Sequence, residues 1–360
     1  MRPSNVIAPS KVIAPSNVIA PSNVIARRRS RRRNLMLLPL LLTIAACDKQ
    51  ESTVFDTVTY NIDPSRITVS GLSSGAYMAG QLHIAHSHLF NGLAIVAGGP
   101  YYCAEGSIGK GIGPCVKGGD VNIEQLLAYA QAKASAGEID DLANLADDTI
   151  WIFHGALDAV VSKAPSDAAA AMYTQLVSKD NVNFVTDIEV VHGLPTLETG
   201  APCATFSTPF INSCDYDAAG VWLNTMYGEL NERVEAIGEL TTVAQVGGDD
   251  AEMLEHAFLY VPRSCSVGER CGLHVAIHGC SQSAEYVGDA FAAGSGLNEW
   301  AESNHLLVLY PQVASSKIAP LNPYGCWDWW GYTSEDYATR SGPQITVIKS
   351  MIDAIAGTTL

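Results

Sequence analysis

The sequence predicts an α/β fold in which helices flank a mainly parallel sheet. Two observations predict it: short apolar runs bounded by turn residues recur along the chain, and helical patterns lie between them. The runs lack a polar face, as expected of strands that are buried on both sides. The predicted strands span residues 67–70, 93–97, 149–153, 184–191, 258–261, 273–277 and 306–310.

Five helical patterns accompany these strands. No second domain is indicated, so residues 48–360 are predicted to form a single catalytic domain. Within it, residues 196–256 lack clear alternation and are predicted to be a lid or insert. The predicted helices span residues 75–85, 123–136, 167–178, 286–303 and 344–356.

The N-terminal segment is predicted to be a disordered repeat followed by an export signal. Residues 1–34 contain a six-residue repeat with a proline in each complete unit, which blocks regular structure, and end in a basic run. Residues 35–47 add an apolar core and small residues, the pattern of a signal peptide. The Ile-Ala-Ala before Cys47 resembles a bacterial lipobox and predicts a lipid on Cys47, which would attach the chain to a membrane. Ordinary cleavage nearby is the alternative, and either reading predicts an exported protein, extracellular or periplasmic.

Charge is unevenly distributed along the chain. Eight of the 21 basic residues precede Cys47, in a stretch with no acidic residue. The remaining 13 basic residues stand against 37 acidic ones, a net charge of −24 from Cys47 onward. Such a surface repels polyanions, so nucleic acid is not expected as a partner.

Eight cysteines follow Cys47, an even number that agrees with an oxidising compartment. Six fall in close pairs and leave two others, so local disulfides are the simplest connectivity. A metal site is the alternative for clustered cysteines, but no C-x-x-C pair occurs and no metal is expected. The candidate disulfide cysteines are Cys103, Cys115, Cys203, Cys214, Cys265, Cys271, Cys280 and Cys326.

The strongest catalytic signal is a G-x-S-x-G motif formed by Gly71, Ser73 and Gly75. A β-branched strand precedes it and a helical pattern follows, which is the context that a hydrolase nucleophile requires. The flanking glycines let neighbouring backbone approach, and the helix N-terminus favours a developing oxyanion. We predict that Ser73 is the nucleophile; a Gly/Ser loop formed by chance is the alternative.

A serine nucleophile needs a base and a carboxylate that orients the base. In α/β hydrolases the chain order is Ser, acid, His. Asp158 comes shortly after the predicted strand 149–153, and His192 directly follows the predicted strand 184–191. Catalytic groups gather beyond the carboxyl ends of such strands, so we predict Asp158 as the acid and His192 as the base. The alternatives are a turn or helix cap for Asp158 and a surface loop for His192.

The second oxyanion donor is normally supplied by a loop that precedes the nucleophile. No such loop precedes Ser73, but the predicted strand 273–277 runs into a Gly-containing loop at Cys280, followed by helix, strand and helix. A circular permutation is the simplest account, because chain ends that lie close together make it inexpensive. We predict that the backbone N–H groups of Ser74 and Cys280 form the oxyanion hole. A structural turn held by a disulfide to Cys326 is the alternative.

Three of the six tryptophans cluster in one Cys-Trp-Asp-Trp-Trp-Gly segment. Aromatic residues at this density indicate either a core or a ligand surface. Trp327, Trp329 and Trp330 are predicted to contact substrate beside the oxyanion loop, with packing alone as the alternative.

Residues 59–356 resemble the catalytic domain of extracellular poly(3-hydroxybutyrate) depolymerases of the circularly permuted type. The resemblance implies a single-domain α/β hydrolase that cleaves the ester bonds of polyhydroxybutyrate or its oligomers. Many such enzymes carry a separate polymer-binding domain, and no linker follows the last predicted helix, which favours amorphous polymer or oligomers. The motifs that carry the resemblance are VSGLSSGAYMAGQL, AGGPYYCA, FHGALDAVV, VVHGLPT, AIHGCSQS and NPYGCWDWWGY, in this order.

Carried onto this chain, the resemblance implies that Ser73 attacks, His192 shuttles the proton and Asp158 orients His192. It implies that Ser74 and Cys280 donate N–H groups and that tryptophans of the Cys-Trp-Asp-Trp-Trp-Gly segment contact polymer. No cofactor is expected. Two alternatives remain at this point: another carboxylesterase on the same scaffold, of the feruloyl or acetyl-xylan type, and a non-enzymatic surface lipoprotein that binds a polymer.

Overall fold

The computed structural model describes residues 58–360, so the predicted segments 1–34 and 35–47, with Cys47, lie outside the described part of the chain. Eight of the strands within 58–360 form one central sheet, and three short ones form a small second sheet. The strands are β1 (Ile62–Leu72), β2 (Gly92–Val96), β3 (Thr149–Phe153), β4 (Val182–Val185), β5 (Leu194–Thr196), β6 (Ala201–Pro202), β7 (Ile211–Ser213), β8 (Glu239–Ala244), β9 (His256–Val261), β10 (Cys271–Ile277) and β11 (Leu306–Tyr310).

Helices of very different lengths connect these strands, together with 3₁₀ turns at Leu142–Asp147, Lys179–Asn181 and Asp249–Ala251. None of the helices within residues 58–360 is long and apolar enough to cross a membrane. The helices are α1 (Ser74–Ala85), α2 (Ile108–Ile112), α3 (Pro114–Lys117), α4 (Ile123–Ser135), α5 (Lys163–Tyr173), α6 (Ala218–Tyr227), α7 (Arg263–Ser266), α8 (Ala284–Val287), α9 (Ala290–Gly294), α10 (Leu297–Asn304) and α11 (Pro343–Ala356).

The central sheet has the strand order β4-β3-β2-β1-β10-β11-β9-β8. Its pairs are parallel except that β9 runs antiparallel to both β11 and β8, which confirms the predicted mainly parallel sheet. Strands β8 to β11 come last in the chain but lie together on one side of β1. A chain counted from β8 would reach β10 as its third strand and β1 as its fifth. The sheet order therefore agrees with the predicted circular permutation.

Both faces of the sheet are buried, and successive residues of one strand serve opposite faces. Leu93 and Ile95 of β2 pack with apolar residues of α1, α4, α5 and α11, whereas Ala94 and Val96 pack with α6, α9 and α10. A strand that must bury both faces cannot alternate with polar residues. This packing explains the continuous apolar runs from which the strands were predicted.

Several predicted elements are wrong in extent. The strand predicted at 67–70 spans Ile62–Leu72 and the helix predicted at 167–178 spans Lys163–Tyr173, and two further elements have a clear cause. The strand predicted at 184–191 ends at Val185, because the next residues instead bond to the loop after β3, as in Ala156 N–H to Ile188 O at 2.8 Å. The helix predicted at 286–303 is divided into α8, α9 and α10, because Gly288 and Gly296 adopt positive φ angles of 61° and 80°.

The segment 196–256, predicted to be a lid or insert, contributes to both sheets. Strands β6 and β7 belong to the small sheet, while β8 forms an edge of the central sheet beside β9. A lid function for this segment stays a prediction.

Replacement of Gly75 by alanine is expected to destabilise the fold. A Cβ at Gly75 would overlap the backbone carbonyls of Ile277 and His278, whereas a Cβ at Gly80, in the same helix, would meet its nearest neighbour at 3.6 Å. We expect Gly75→Ala to lower the free energy of unfolding by about 1–3 kcal/mol, and Gly80→Ala to leave it unchanged or raise it by up to about 1 kcal/mol. Urea unfolding followed by tryptophan fluorescence measures both; equal losses would contradict the packing described here.

Candidate active site

Ser73 lies on a strained turn between β1 and α1. Its backbone has φ 56° and ψ −119°, and its N–H donates to the carbonyl of Val96 at 2.8 Å. A non-glycine residue in this region is unfavourable and persists only where its surroundings hold it. A Cβ at Gly71 would collide with the backbone of Gly75, and one at Gly75 with the end of β10, so both motif glycines are sterically required. The turn projects Ser73 beyond the carboxyl end of the sheet.

Asp158 and His192 form a buried, directly bonded pair. His192 Nδ1 lies 2.7 Å from Asp158 Oδ2, and because a carboxylate oxygen accepts, Nδ1 carries the proton and Nε2 of the neutral ring remains free to accept one. The other carboxylate oxygen accepts the N–H groups of Val160 and Val161 at 2.8 and 2.9 Å. The pair therefore has the orientation that a base and its supporting acid require.

Burial acts to raise the pKa of Asp158, but the hydrogen bond and charge of His192, with the two backbone N–H donors, outweigh it and hold the pKa below its usual range. A carboxylate with a lowered native pKa stabilises the fold above its unfolded pKa of about 3.9. This contribution is lost as the pH falls through the native pKa. Asp158 is thus anionic whenever His192 could act as a base.

The predicted oxyanion loop lies directly against the nucleophile turn. A Cβ built on Gly279 would be 3.4 Å from the Cβ of Ser73. Ser74 is the first residue of α1, and among residues 58–360 neither its N–H nor that of Cys280 donates to a backbone carbonyl. Two N–H groups without backbone acceptors, one in the residue after Ser73 and one in the loop packed against it, are what an oxyanion hole requires.

The sheet brings these groups to one edge. Parallel neighbours present their carboxyl ends together, and β1, β3 and β10 lead directly into Ser73, the Asp158 loop and Cys280. His192 follows β4 after six further residues whose backbone bonds to the Asp158 loop. Every predicted triad and oxyanion residue therefore lies beyond the same edge of the sheet.

The tryptophan cluster differs from the prediction. Trp327 is completely buried, and its indole N–H donates to the carbonyl of His278 at 2.9 Å, so the predicted substrate contact is wrong for this residue. Trp329 is 6% exposed and stacks on Tyr77 with ring centroids 4.3 Å apart. Trp330 is only partly buried and remains the member that a substrate could touch.

An aromatic residue that the sequence did not single out lies near His192. The Phe206 ring is 53% exposed and its centroid is 6.4 Å from that of His192; it also packs on Phe210 at 4.9 Å. Exposed apolar rings beside the predicted base are suited to bind an acyl chain. No periodic pattern or motif marks Phe206 in the sequence, so only its position in the fold identifies it.

Two further polar clusters occur away from this edge. His83 and Asp148 form a second His–Asp pair at 3.0 Å, but His83 is completely buried and has no access to substrate. In the described residues 58–360, His86, His88 and Asp140 could offer three metal ligands. Their carboxylate is already occupied, because His88 contacts one oxygen and Arg340 the other at 2.8 Å. The cluster sits at the opposite end of α1 from Ser73, about 18 Å along the helix.

All eight candidate cysteines are bonded in the structure. The three close pairs form Cys103–Cys115, Cys203–Cys214 and Cys265–Cys271. The remaining pair forms Cys280–Cys326, which ties the oxyanion loop to the tryptophan segment across 46 residues.

Together, the sheet topology, the G-x-S-x-G turn and the His–Asp pair at its carboxyl edge define an α/β hydrolase. Residues 254–358 match the family model described as "Esterase PHB depolymerase". The chain is 39% identical over 308 residues to a poly(3-hydroxybutyrate) depolymerase of Delftia acidovorans, covering 83% of this chain but only 61% of that protein. It is 35% identical over 312 residues to a polyhydroxybutyrate depolymerase of Talaromyces funiculosus, covering 82% of this chain and 91% of that protein.

Solved structures agree with these relatives. The crystal structure of PHB depolymerase from Penicillium funiculosum superposes with a TM-score of 0.79 at 34% identity, covering 84% of this chain and 98% of the other. A serine-to-alanine variant of a PHB depolymerase complexed with an R3HB trimer matches to the same degree. The chain belongs to the PHB depolymerase family.

Loss of the Cys280–Cys326 disulfide is expected to reduce turnover as well as stability. By loop-closure entropy, this 46-residue link stabilises the fold by about 4 kcal/mol and the 6-residue Cys265–Cys271 link by about 2 kcal/mol. We expect the double variant Cys280→Ala/Cys326→Ala to lower kcat at a temperature where it remains folded, because the link holds the oxyanion loop. The matched control Cys265→Ala/Cys271→Ala should lose stability but keep its kcat. Equal kcat values for the two variants would contradict a role for the link in the site.

Proposed function

We propose that the chain is a secreted serine esterase that hydrolyses the ester bonds of poly(3-hydroxybutyrate) or its oligomers. The observation that carries the proposal is the bonded pair of His192 and Asp158 at the same sheet edge as the Ser73 turn. The names of the relatives support the polyester as substrate, and a solved relative holds an R3HB trimer.

In the proposed mechanism, Ser73 Oγ attacks the ester carbonyl while His192 Nε2 accepts the hydroxyl proton. The resulting imidazolium is stabilised by the Asp158 carboxylate. The N–H groups of Ser74 and Cys280 stabilise the negative charge on the former carbonyl oxygen. His192 then gives the proton to the departing alkoxide. The segment that carries the carboxyl end of the polymer leaves with a new hydroxyl group, and the other segment stays on Ser73 as its acyl ester.

The second half of the reaction repeats these steps with water. His192 takes a proton from a water molecule, whose oxygen attacks the acyl group on Ser73. Collapse of the second tetrahedral intermediate returns the proton from His192 to Ser73 and releases the 3-hydroxy acid, which then loses its carboxyl proton to solvent. Every proton transfer is supplied by His192, so the chemistry requires no metal or organic cofactor.

Export of the chain, with a lipid on Cys47, is part of the proposal. It is supported by the basic run, the apolar core and the small residues before Cys47. The even number of later cysteines, all bonded in the structure, also favours an oxidising compartment. A metabolic label with radioactive palmitate, compared between wild type and Cys47→Ala, would test the lipid.

The substrate is tested by release of 3-hydroxybutyrate from amorphous polyhydroxybutyrate. We expect release by the wild-type chain, a loss on the order of 10⁶-fold in kcat for Ser73→Ala, and no change for Ser135→Ala, an exposed serine at the end of α4. Hydrolysis of short-chain esters without release of 3-hydroxybutyrate from the polymer or its oligomers would contradict the depolymerase activity and support a different esterase. Inactivity on every ester would instead support a polymer-binding protein without enzymatic activity.

Asp158→Asn is expected to lower kcat by about 10⁴-fold, because an amide cannot stabilise the imidazolium and can hold the wrong tautomer of His192. Asp148→Asn is the matched control, since Asp148 is also a buried partner of a histidine but contacts His83 instead. It should affect stability and leave kcat near the wild-type value. Initial rates on hydroxybutyrate trimers measure the kcat of both variants. A larger loss of kcat in Asp148→Asn than in Asp158→Asn would contradict the assignment of Asp158 as the acid.

A further inference from the structure

His278 is a buried histidine that the proposed chemistry leaves without a role. It is 0% exposed and directly follows β10, two residues before Cys280. Its ring lies between aromatic side chains, with centroids 5.3 Å from Trp327 and 6.2 Å from Phe291. A buried polar ring in such surroundings is unfavourable unless its nitrogens are bonded.

Both ring nitrogens have partners, and the partners fix the tautomer. Nδ1 lies 2.7 Å from the carbonyl oxygen of Gly279, and Nε2 lies 3.4 Å from the backbone nitrogen of Val313. A carbonyl oxygen can only accept and a backbone N–H can only donate. Nδ1 must therefore carry the proton and Nε2 must be the acceptor, so the two contacts independently indicate one tautomer.

The bond to Gly279 determines the direction of the next N–H. The carbonyl of Gly279 and the N–H of Cys280 belong to one planar trans peptide group and point in opposite directions. With the carbonyl held against the His278 ring, the Cys280 N–H must point away from the ring. The same turn is fixed on both sides, because Gly279 N–H donates to Gln282 Oε1 at 2.6 Å and Trp327 donates to the His278 carbonyl.

We propose that His278 is a positioning residue for the oxyanion hole: its Nδ1–H holds the Gly279 carbonyl and thereby aims the Cys280 N–H at the charge that develops on the substrate. The inference rests on the proposed function, since it gives the Cys280 N–H a substrate oxygen to bind. His278 touches neither Ser73 nor the substrate in this role; it acts through one peptide plane.

The electrostatics of the site suit this role. Burial lowers the pKa of His278 to about 4, although the bond to Gly279 opposes the shift. A neutral ring keeps Nε2 available to accept from Val313, whereas a protonated ring would place a second donor against that N–H. The ring therefore stays neutral, in the tautomer that holds the Gly279 carbonyl, at pH values well above 4.

Two substitutions of His278 distinguish a role in orienting the Cys280 N–H from a role in packing alone. In His278→Asn, the side-chain amide nitrogen is attached to Cγ, as Nδ1 is, and can still donate to Gly279 O. In His278→Leu no donor remains, and both variants lose the acceptor for Val313. We expect His278→Leu to lower kcat on hydroxybutyrate trimers by on the order of 10²-fold with little change in KM, and His278→Asn to recover most of that loss.

A tetrahedral inhibitor gives a second readout. A boronic acid that adds to Ser73 resembles the oxyanion, so its inhibition constant should rise in parallel with the loss of kcat in His278→Leu. Equal losses of kcat in the two variants, or a loss confined to KM, would overturn the proposal and leave His278 a packing residue.

The wild-type protein provides a test that does not depend on folding of either variant. Nitrogen-15 NMR of the histidine rings should find His278 protonated at Nδ1 and without titration between pH 8 and about pH 5. A proton on Nε2 would overturn the proposal. Inactivity of the wild type on every ester would overturn the proposed function, and the ring tautomer, read in the same sample, would still confirm or overturn the bond to Gly279.

Discussion

The left-handed backbone of Ser73 is the constraint on which the rest of the site depends. A residue with a side chain in this conformation costs about 1–3 kcal/mol unless its surroundings hold it. Here the Val96 carbonyl accepts its N–H, and the end of β10 closes over Gly75 too tightly for any Cβ. Backbone packing on both sides thus holds Ser73 in its strained conformation. The same packing brings the Cys280 loop against Ser73, so the predicted nucleophile and the predicted oxyanion donor depend on one contact.

That contact joins segments that are far apart in the sequence, so it does not depend on which of them comes first in the chain. β1 pairs with β10 although some two hundred residues separate them, and the segment just before β1 lies against the end of α11: Tyr60 N–H donates to the carbonyl of Ile355 at 2.8 Å. A chain whose ends meet can be opened elsewhere without disturbing its core. The predicted permutation therefore accounts for a predicted oxyanion loop that follows Ser73 in the chain and still packs against it. The Cys280–Cys326 link then ties that loop to the tryptophan segment near the chain's last helix.

The sequence predicted the elements whose signals are local. Strand 149–153 and strand 306–310 were predicted with the observed bounds, and the two residues predicted as base and acid are hydrogen-bonded to each other. The errors arise where tertiary contacts override a local pattern. Residues 186–191 have the composition of a strand but bond to an irregular loop, and Trp327 is buried by a bond to His278 that no spacing reveals. The position of Phe206 beside His192 was not predicted for the same reason, since only the fold brings the two rings together.

Four buried or half-buried histidines show how surroundings assign different chemistry to one residue type. His192 and His83 both contact an aspartate, yet only His192 lies at the sheet edge where Ser73 emerges; His83 lies in the last turn of α1 and is completely buried. His274 and His278 contact no carboxylate, and burial lowers the pKa of each, to about 3 and about 4. A neutral buried imidazole is a fixed donor and a fixed acceptor, which suits it to hold a backbone in place. A base must instead be supported by a neighbouring charge and must reach the substrate. In the proposed site, His278 has the surroundings that suit the first role, and His192 has those that suit the second.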